Sequence, residues 1–236
     1  MLMPEVKLAL VVPCYNPPDE WCENLINSFQ EFIRSIGEEC RLILVNDGSV
    51  NGISNDEIVR LKELFPGMIY ESYDTNKGKG YALREGMRHA IEPYVITTDI
   101  DFPYTNNSMV EIFKKVKSDE GLVLGHRQRS YYQKVPLFRK WLSVAFRVSL
   151  KLFLKLQVDD TQCGLKAMGP KGKEVFMKTQ IDGYLYDLEL VALAQKEDLT
   201  ISRVNVSLKN DIAFSNMSPK ILLKESSNFL KILSGR

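Results

Sequence analysis

Short apolar runs alternate with amphipathic segments of helical period through the first hundred residues, and several of the runs end in a polar turn. Residues 6–12 (VKLALVV) run into Pro13, and residues 19–36 then place Leu25, Ile26, Phe29, Phe32, Ile33 and Ile36 on one helical face. A second strand, Arg41–Val45, stops at Asn46-Asp47-Gly48-Ser49. Asn55–Leu64 reads as helix, Met68–Tyr73 as strand, Gly80–Ile91 as helix and Tyr94–Thr98 as strand. This repetition predicts an α/β fold with a doubly wound, mostly parallel central sheet flanked by helices. Such sheets bind ligands outside the carboxyl ends of their strands.

The residues at those ends carry the candidate chemistry. Thr97–Asp101 (TTDID) puts Asp99 and Asp101 one residue apart after a strand. Two carboxylates so placed can bracket a hard divalent cation such as Mg²⁺ or Mn²⁺ and leave positions open for phosphate. On its own the pair reads more readily as a turn whose aspartates accept from backbone N–H groups. Asn76-Lys77-Gly78-Lys79-Gly80 opens a helix, where close backbone approach, lysine charge and a helix N-terminus favour anions. Its spacing fits neither a Walker loop nor GxGxxG. VVPCYN (Val11–Asn16) and VNDGS (Val45–Ser49) add polar side chains beyond two further strands, with Asp47 placed to accept from a base or ribose.

The charge distribution narrows the partners. Lys and Arg total 31 against 30 Asp and Glu, which gives no global case for nucleic acid. No acid lies between Glu120 and Asp159, where eight basic residues stand, so the remainder carries 23 basic against 30 acidic residues. Within that stretch, residues 141–156 follow a helical apolar stripe, with Arg147, Lys151 and Lys155 stacked on another face. The pattern suits an interfacial membrane helix and equally a core-packed helix with a charged outer stripe. Four cysteines without a CxxC pair and only two histidines speak against a zinc site. No apolar run reaches eighteen residues and no leader pattern stands at the start, so a cytoplasmic protein without a spanning helix is expected.

Taken in order and spacing, VVPCYN, VNDGS, NKGKGYALREG and TTDID resemble the inverting family 2 glycosyltransferases of the GT-A fold. Downstream, GHRQR (Gly125–Arg129), DTQCGLK (Asp160–Lys166) and YLYDLELVALAQ (Tyr184–Gln195) are similar to the polyprenyl-phosphate sugar synthases, the dolichyl-phosphate glucosyltransferase type first and the mannose type next. The match spans roughly residues 7–210.

This resemblance implies a single domain over residues 1–236. Residues to about 120 would hold the nucleotide sugar, about 121–210 the acceptor, and 211–236 would form an amphipathic tail. It implies a UDP-hexose donor, with GDP-hexose as the alternative, bound with Mg²⁺ or Mn²⁺. Pro13, Tyr15, Asn16, Asp47 and Lys79 would line the nucleotide, and Asp99 and Asp101 would hold metal and donor.

A lipid-phosphate acceptor would need positive charge from Arg127, Arg129, Arg139 or Lys166, whereas a saccharide hydroxyl would need a general base, Asp160 or Asp187. Three positions depart from the family pattern: Pro17 replaces a glutamate, Asn46 a carboxylate, and Pro103 a polar residue two beyond the second aspartate. Membrane contact, through residues 136–156 and the tail segment Ile221–Leu233, is expected to be peripheral, at the cytoplasmic face. A sugar nucleotidyltransferase and a binding protein without activity are the rival readings. The stiff Pro13–Pro18 turn lacks the glycine-rich, arginine-containing loop of the former.

Overall fold

The computed structural model describes residues 7–127 and 161–209, together with Glu225, Asn228, Phe229 and Ile232. Arg129, Arg139, Asp160, the helix expected over 141–156 and most of the 221–233 segment lie outside the described residues.

The first strand, β1 (Leu8–Cys14), is buried along nearly its whole length. It lies between β2 (Cys40–Asp47) and β4 (Tyr94–Thr97), parallel to both, with Leu10 opposite Leu42 on one side and Ile96 on the other. A strand covered on both faces has no solvent side, which explains an unbroken apolar run where an exposed sheet would alternate. Strand β3 (Ile69–Tyr73) adds in parallel outside β2. The second strand extends past Val45, where the turn was expected, because Asn46 and Asp47 pair with Ser72 and Tyr73.

The order across the seven-stranded sheet is β3-β2-β1-β4-β6-β5-β7. Strand β5 (Leu122–Arg127) and β7 (Ile201–Val206) pair in parallel. Between β4 and β5 lies the short β6 (Lys166–Met168), antiparallel to both. The sheet is therefore mostly parallel, as the alternation predicts, with one reversed strand near its middle.

Alternate residues of β1 feed two cores. Leu8, Leu10 and Val12 face a layer with α1 (Trp21–Ile36), α2 (Asn55–Leu64) and α4 (Asn106–Asp119). Ala9 and Val11 face α3 (Lys79–His89), α5 (Pro170–Met177) and α6 (Tyr186–Lys196). Helix α1 buries Trp21, Leu25, Phe29 and Phe32 on one stripe, and the Phe29 ring meets Phe65 edge-on at 4.9 Å. Truncating either buried phenylalanine would cost about 3–5 kcal/mol. Helix α2 begins at Ser54 in a capping box: Ser54 Oγ accepts from Glu57 N at 3.2 Å, and Glu57 accepts from Ser54 N at 2.8 Å. Among the described residues no helix is long and apolar enough to cross a membrane.

Two tail residues, Phe229 and Ile232, pack on the second core. Glu225 accepts from Tyr184 N and Leu185 N at 3.0 Å each, capping the start of α6. These described tail positions thus pack on the fold.

Candidate active site

The polar turns do gather along one edge of the sheet. Asp47 closes β2 and is 3% exposed. Its carboxylate accepts from Tyr73 Oη at 2.8 Å, Asn76 Nδ2 at 2.9 Å, Lys77 N at 2.8 Å and Gly78 N at 2.9 Å. Four donors fill the four lone-pair sites of an ionised carboxylate. Asp47 therefore anchors the Asn76–Gly78 turn, a different task from the base or ribose contact expected of it. The neighbouring Gly48 has φ 68° and lies under the backbone of Thr75 and Asn76, closer than a Cβ would permit.

Asn46 is turned inward, donating to Tyr70 Oη at 3.2 Å and Ser72 Oγ at 3.1 Å while accepting from Ser49 N at 2.9 Å. Asn16, at φ 43°, accepts from Val50 N at 3.0 Å and donates its own N–H to Ser49 Oγ at 2.9 Å. It ties the turn after β1 to the turn after β2. Pro13 stands half-buried within β1, whereas Tyr15 is half exposed and free to lie against a ligand.

Lys79 opens α3, and its ammonium pairs with Asp99. Burial works to lower the lysine pKa, but Asp99 and, farther off, Asp187 outweigh it and hold the amine above its usual range. For Asp99 the signs reverse: burial pushes the carboxyl up, and Lys79, backed by Lys166 and Arg127, holds it below the ordinary value. Asp101, on the next turn, keeps solvent-accessible surface, and its carboxyl is raised by the partial loss of surrounding water and by the negative charge of Asp99. Between these aspartates the chain bends sharply, with Phe102 N donating to Asp99 O at 3.0 Å and the Phe102 ring fully buried at φ 43°. Asn24 Nδ2 donates to Asp101 O at 2.7 Å and fastens the turn to α1.

Lys166 departs from its expected role. It is fully buried on β6, with Nζ 2.6 Å from Asp187 Oδ1 and donating to Cys163 O. An ammonium enclosed in this way faces a carboxylate and a backbone carbonyl and not open solvent. Asp187, expected as a general base, is that partner and is 5% exposed. Arg127 ends β5 opposite Val206, and its charge bears on Asp99 across the crevice.

Sequence reading missed a set of residues beneath Asp99. Tyr104 Oη accepts from Gly164 N at 3.0 Å, and Thr97 Oγ1 donates to Gly164 O at 3.3 Å. On α3, Arg84 donates to Ile181 O at 2.9 Å and pairs with Asp182, whose carbonyl accepts from Gly80 N at 2.8 Å. An arginine in helical register with Gly80 and Met87, on the face that packs inward, was the available signal for this second anchor of the lysine-bearing turn.

Among the described residues no three His, Cys, Asp or Glu side chains cluster as a ready-made metal site. Asp99 and Asp101 supply two hard oxygen donors of like charge, which fits a divalent cation whose other ligands come from a bound phosphate. The edge can therefore hold an anion, through the Lys79 ammonium, beside such a cation, while Gly78 N and Gly80 N at the start of α3 are already taken by Asp47 and the Asp182 carbonyl.

The family model for Glycosyl transferase family 2 matches residues 9–171. The chain belongs to this family. It is 24% identical over 245 residues to a dolichyl-phosphate beta-glucosyltransferase of Trichomonas vaginalis, covering 97% of this chain and 73% of that protein. The Drosophila melanogaster dolichyl-phosphate beta-glucosyltransferase is 27% identical over 228 residues, covering 86% of this chain and 67% of its own length. Glucosyl-3-phosphoglycerate synthase of Mycobacterium tuberculosis, solved with Mn²⁺, uridine diphosphate and glucosyl-3-phosphoglycerate, superposes with TM-score 0.60 at 18% identity over 97% of this chain and 80% of that one. A Pyrobaculum calidifontis mannosyltransferase solved with GDP-Man and Mn²⁺ gives TM-score 0.55 at 16% identity, covering 86% of this chain and 56% of that one. These likenesses establish the GT-A fold, and the family establishes a glycosyltransferase.

Proposed function

We propose that this glycosyltransferase moves a hexose, glucose first, from a UDP-sugar to a polyprenyl phosphate with inversion at the anomeric carbon. The observation that carries the reading is the meeting of Lys79, Asp99 and Asp101 at one sheet edge, a positive group beside two negative ones. Asp99 and Asp101 would hold Mg²⁺ or Mn²⁺, which when bound would neutralise charge on the departing diphosphate. Lys79 would meet the same diphosphate from the helix side, Tyr15 would offer its ring to the base, and Pro13 and Asn16 would shape the turn around it. Asp47 would act indirectly, by holding the lysine-bearing loop.

The acceptor assignment follows from charge. A lipid phosphate is already anionic and needs positive groups to hold it, with no base to remove a proton. Arg127 stands at the mouth of β5, and the acid-free stretch from 121 to 158 supplies Arg129 and Arg139 in sequence. A saccharide hydroxyl would need a free carboxylate, and Asp187 is engaged with Lys166. In that alternative Asp160 would be the base. The names of the dolichyl-phosphate relatives support the lipid acceptor. One catalytic domain, meeting the cytoplasmic face of a membrane peripherally through residues 136–156, completes the proposal.

The deciding experiment is a donor screen that reads nucleoside diphosphate release with and without short-chain polyprenyl phosphate and Mn²⁺. Release that requires both additions is expected. Release that ignores the lipid phosphate and rises with a saccharide would replace the acceptor. Pyrophosphate formed from hexose 1-phosphate and UTP would replace the reaction.

A further inference from the structure

The chain around Gly164 passes directly beneath the first aspartate of TTDID, and that glycine bears on the aspartate's geometry. A Cβ built on Gly164 would fall inside van der Waals contact of Asp99 Oδ2, 3.0 Å from Cγ and 3.3 Å from Oδ1. The carboxylate turns Oδ2 toward the glycine, with Oδ1 farther off. Gly164 lies outside the positive-φ set, so alanine would meet no backbone strain there; what it lacks is room.

The backbone below cannot withdraw to make that room. Gly164 N is held by Tyr104 Oη at 3.0 Å and Gly164 O by Thr97 Oγ1 at 3.3 Å. Cys163 O is gripped by Lys166 Nζ, Cys163 Sγ donates to Tyr104 Oη at 3.3 Å, and Leu165 O accepts from Gly125 N at 3.0 Å. Cys163, Leu165 and Lys166 are completely buried, while the Asp99 side chain remains one-third exposed. With one side clamped and packed and the other reaching solvent, a methyl group at 164 would displace the carboxylate.

We propose that Gly164 is a positioning residue for the donor site: its missing side chain sets where the Asp99 carboxylate stands, facing Lys79 and the cation–diphosphate position. The proposal rests on the reading of Asp99 as a donor-site ligand.

The test compares Gly164→Ala with Gly169→Ala. At Gly169 an added Cβ meets the backbone of Glu120 (2.6 Å from C), at the far end of β6. Calorimetry measures Mn²⁺ binding in the presence of UDP, and thermal melting measures stability. Gly164→Ala is expected to weaken Mn²⁺ binding about tenfold with little change in Tm, since a displaced ligand acts on affinity. Gly169→Ala is expected to lower Tm and keep the affinity of the parent. A Gly164→Ala variant that loses Tm and keeps Mn²⁺ affinity would overturn the proposal.

Should that variant fail to fold, Tyr104→Phe provides an independent test. It removes the hydroxyl that holds Gly164 and is expected to weaken Mn²⁺ binding about threefold to fivefold. Unchanged affinity in Tyr104→Phe would count equally against the proposal. A parent protein that binds no Mn²⁺ even with UDP would instead refute the donor-site reading on which it rests.

Discussion

Lys79 and Asp99 form an ion pair across the helix-to-strand gap, the ammonium at the start of α3 resting on the carboxylate that follows β4. Without a donor, the lysine occupies the anionic group that a cation would seek. Replacing Lys79 with Met is expected to strengthen Mn²⁺ binding in the absence of nucleotide by about tenfold, because a competing positive charge is gone. The same change is expected to weaken UDP binding by about tenfold. Titration calorimetry with each ligand alone checks both, and Mn²⁺ affinity equal to that of the parent would show that the pair does not compete.

Asp101 is exposed, and its backbone oxygen, the atom bonded by Asn24, survives substitution. Asp101→Ala should therefore melt with the parent while sugar transfer drops about a hundredfold or more, the scale for losing one charge-stabilising group at a reacting centre. Parallel thermal melts and initial rates settle this.

Lys166 and Asp187 are buried at 1% and 7% side-chain exposure. Lys166→Met or Asp187→Asn alone leaves the remaining partner buried without its counterpart, which costs about 3–5 kcal/mol. Urea unfolding should show that loss in each single variant and a partial recovery in the Lys166→Met/Asp187→Asn double variant. Additive losses would mean that the two groups stabilise the fold independently.

The thiols should be inert in the folded protein. Burial, helped by Glu57, pushes Cys14 up to about 12. Cys22 is raised by burial, and Cys40 is raised well above its usual value by burial and Glu92. At pH 8 these groups stay protonated, and thiolate is the reactive form. Native protein is expected to react slowly with a thiol reagent, and urea-unfolded protein to titrate four groups promptly.

Acid should weaken the join between α4 and β7. Asp119 accepts from the hydroxyls of Ser202 and Ser118 and from Lys115, which hold its carboxyl down at about 2. A carboxyl lowered in the folded state contributes stability above its unfolded value of about 3.9, and that contribution fades as pH falls toward the folded value. Asp119→Asn should flatten the stability profile between roughly pH 4 and 2. A profile identical to the parent's would show that other carboxylates set the acid limb.

The helix over Asn55–Leu64 could be read to the residue because its signals are local: Ser54 and Glu57 cap it, and its apolar residues keep the period. The gathering of Asn16, Asp47, Asp99 and Asp101 at one edge was legible for a different reason. Parallel alternation sends successive strand ends to the same side, whatever their sequence separation.

What escaped the sequence depends on partners far along the chain. Three residues of β6 carry no periodicity, and the strand's place between β4 and β5 is decided by pairing alone. Lysine reads as surface, yet Lys166 is enclosed by Asp187, a residue on a later helix. Asp47 shows the same limit in the site itself. Its type and its turn were readable, whereas the four donors that saturate it became visible only with the fold.

The reversed strand has a consequence for biosynthesis. A ribosome that has released the first 127 residues has made β4 and β5 but not the piece that joins them, since Lys166–Met168 comes later. Until then one edge of β4 and both edges of β5 stand open, since β7 also comes later, and each is a template for mispairing. A strand of three residues thus sets the moment in translation at which the two parts of the sheet can become one.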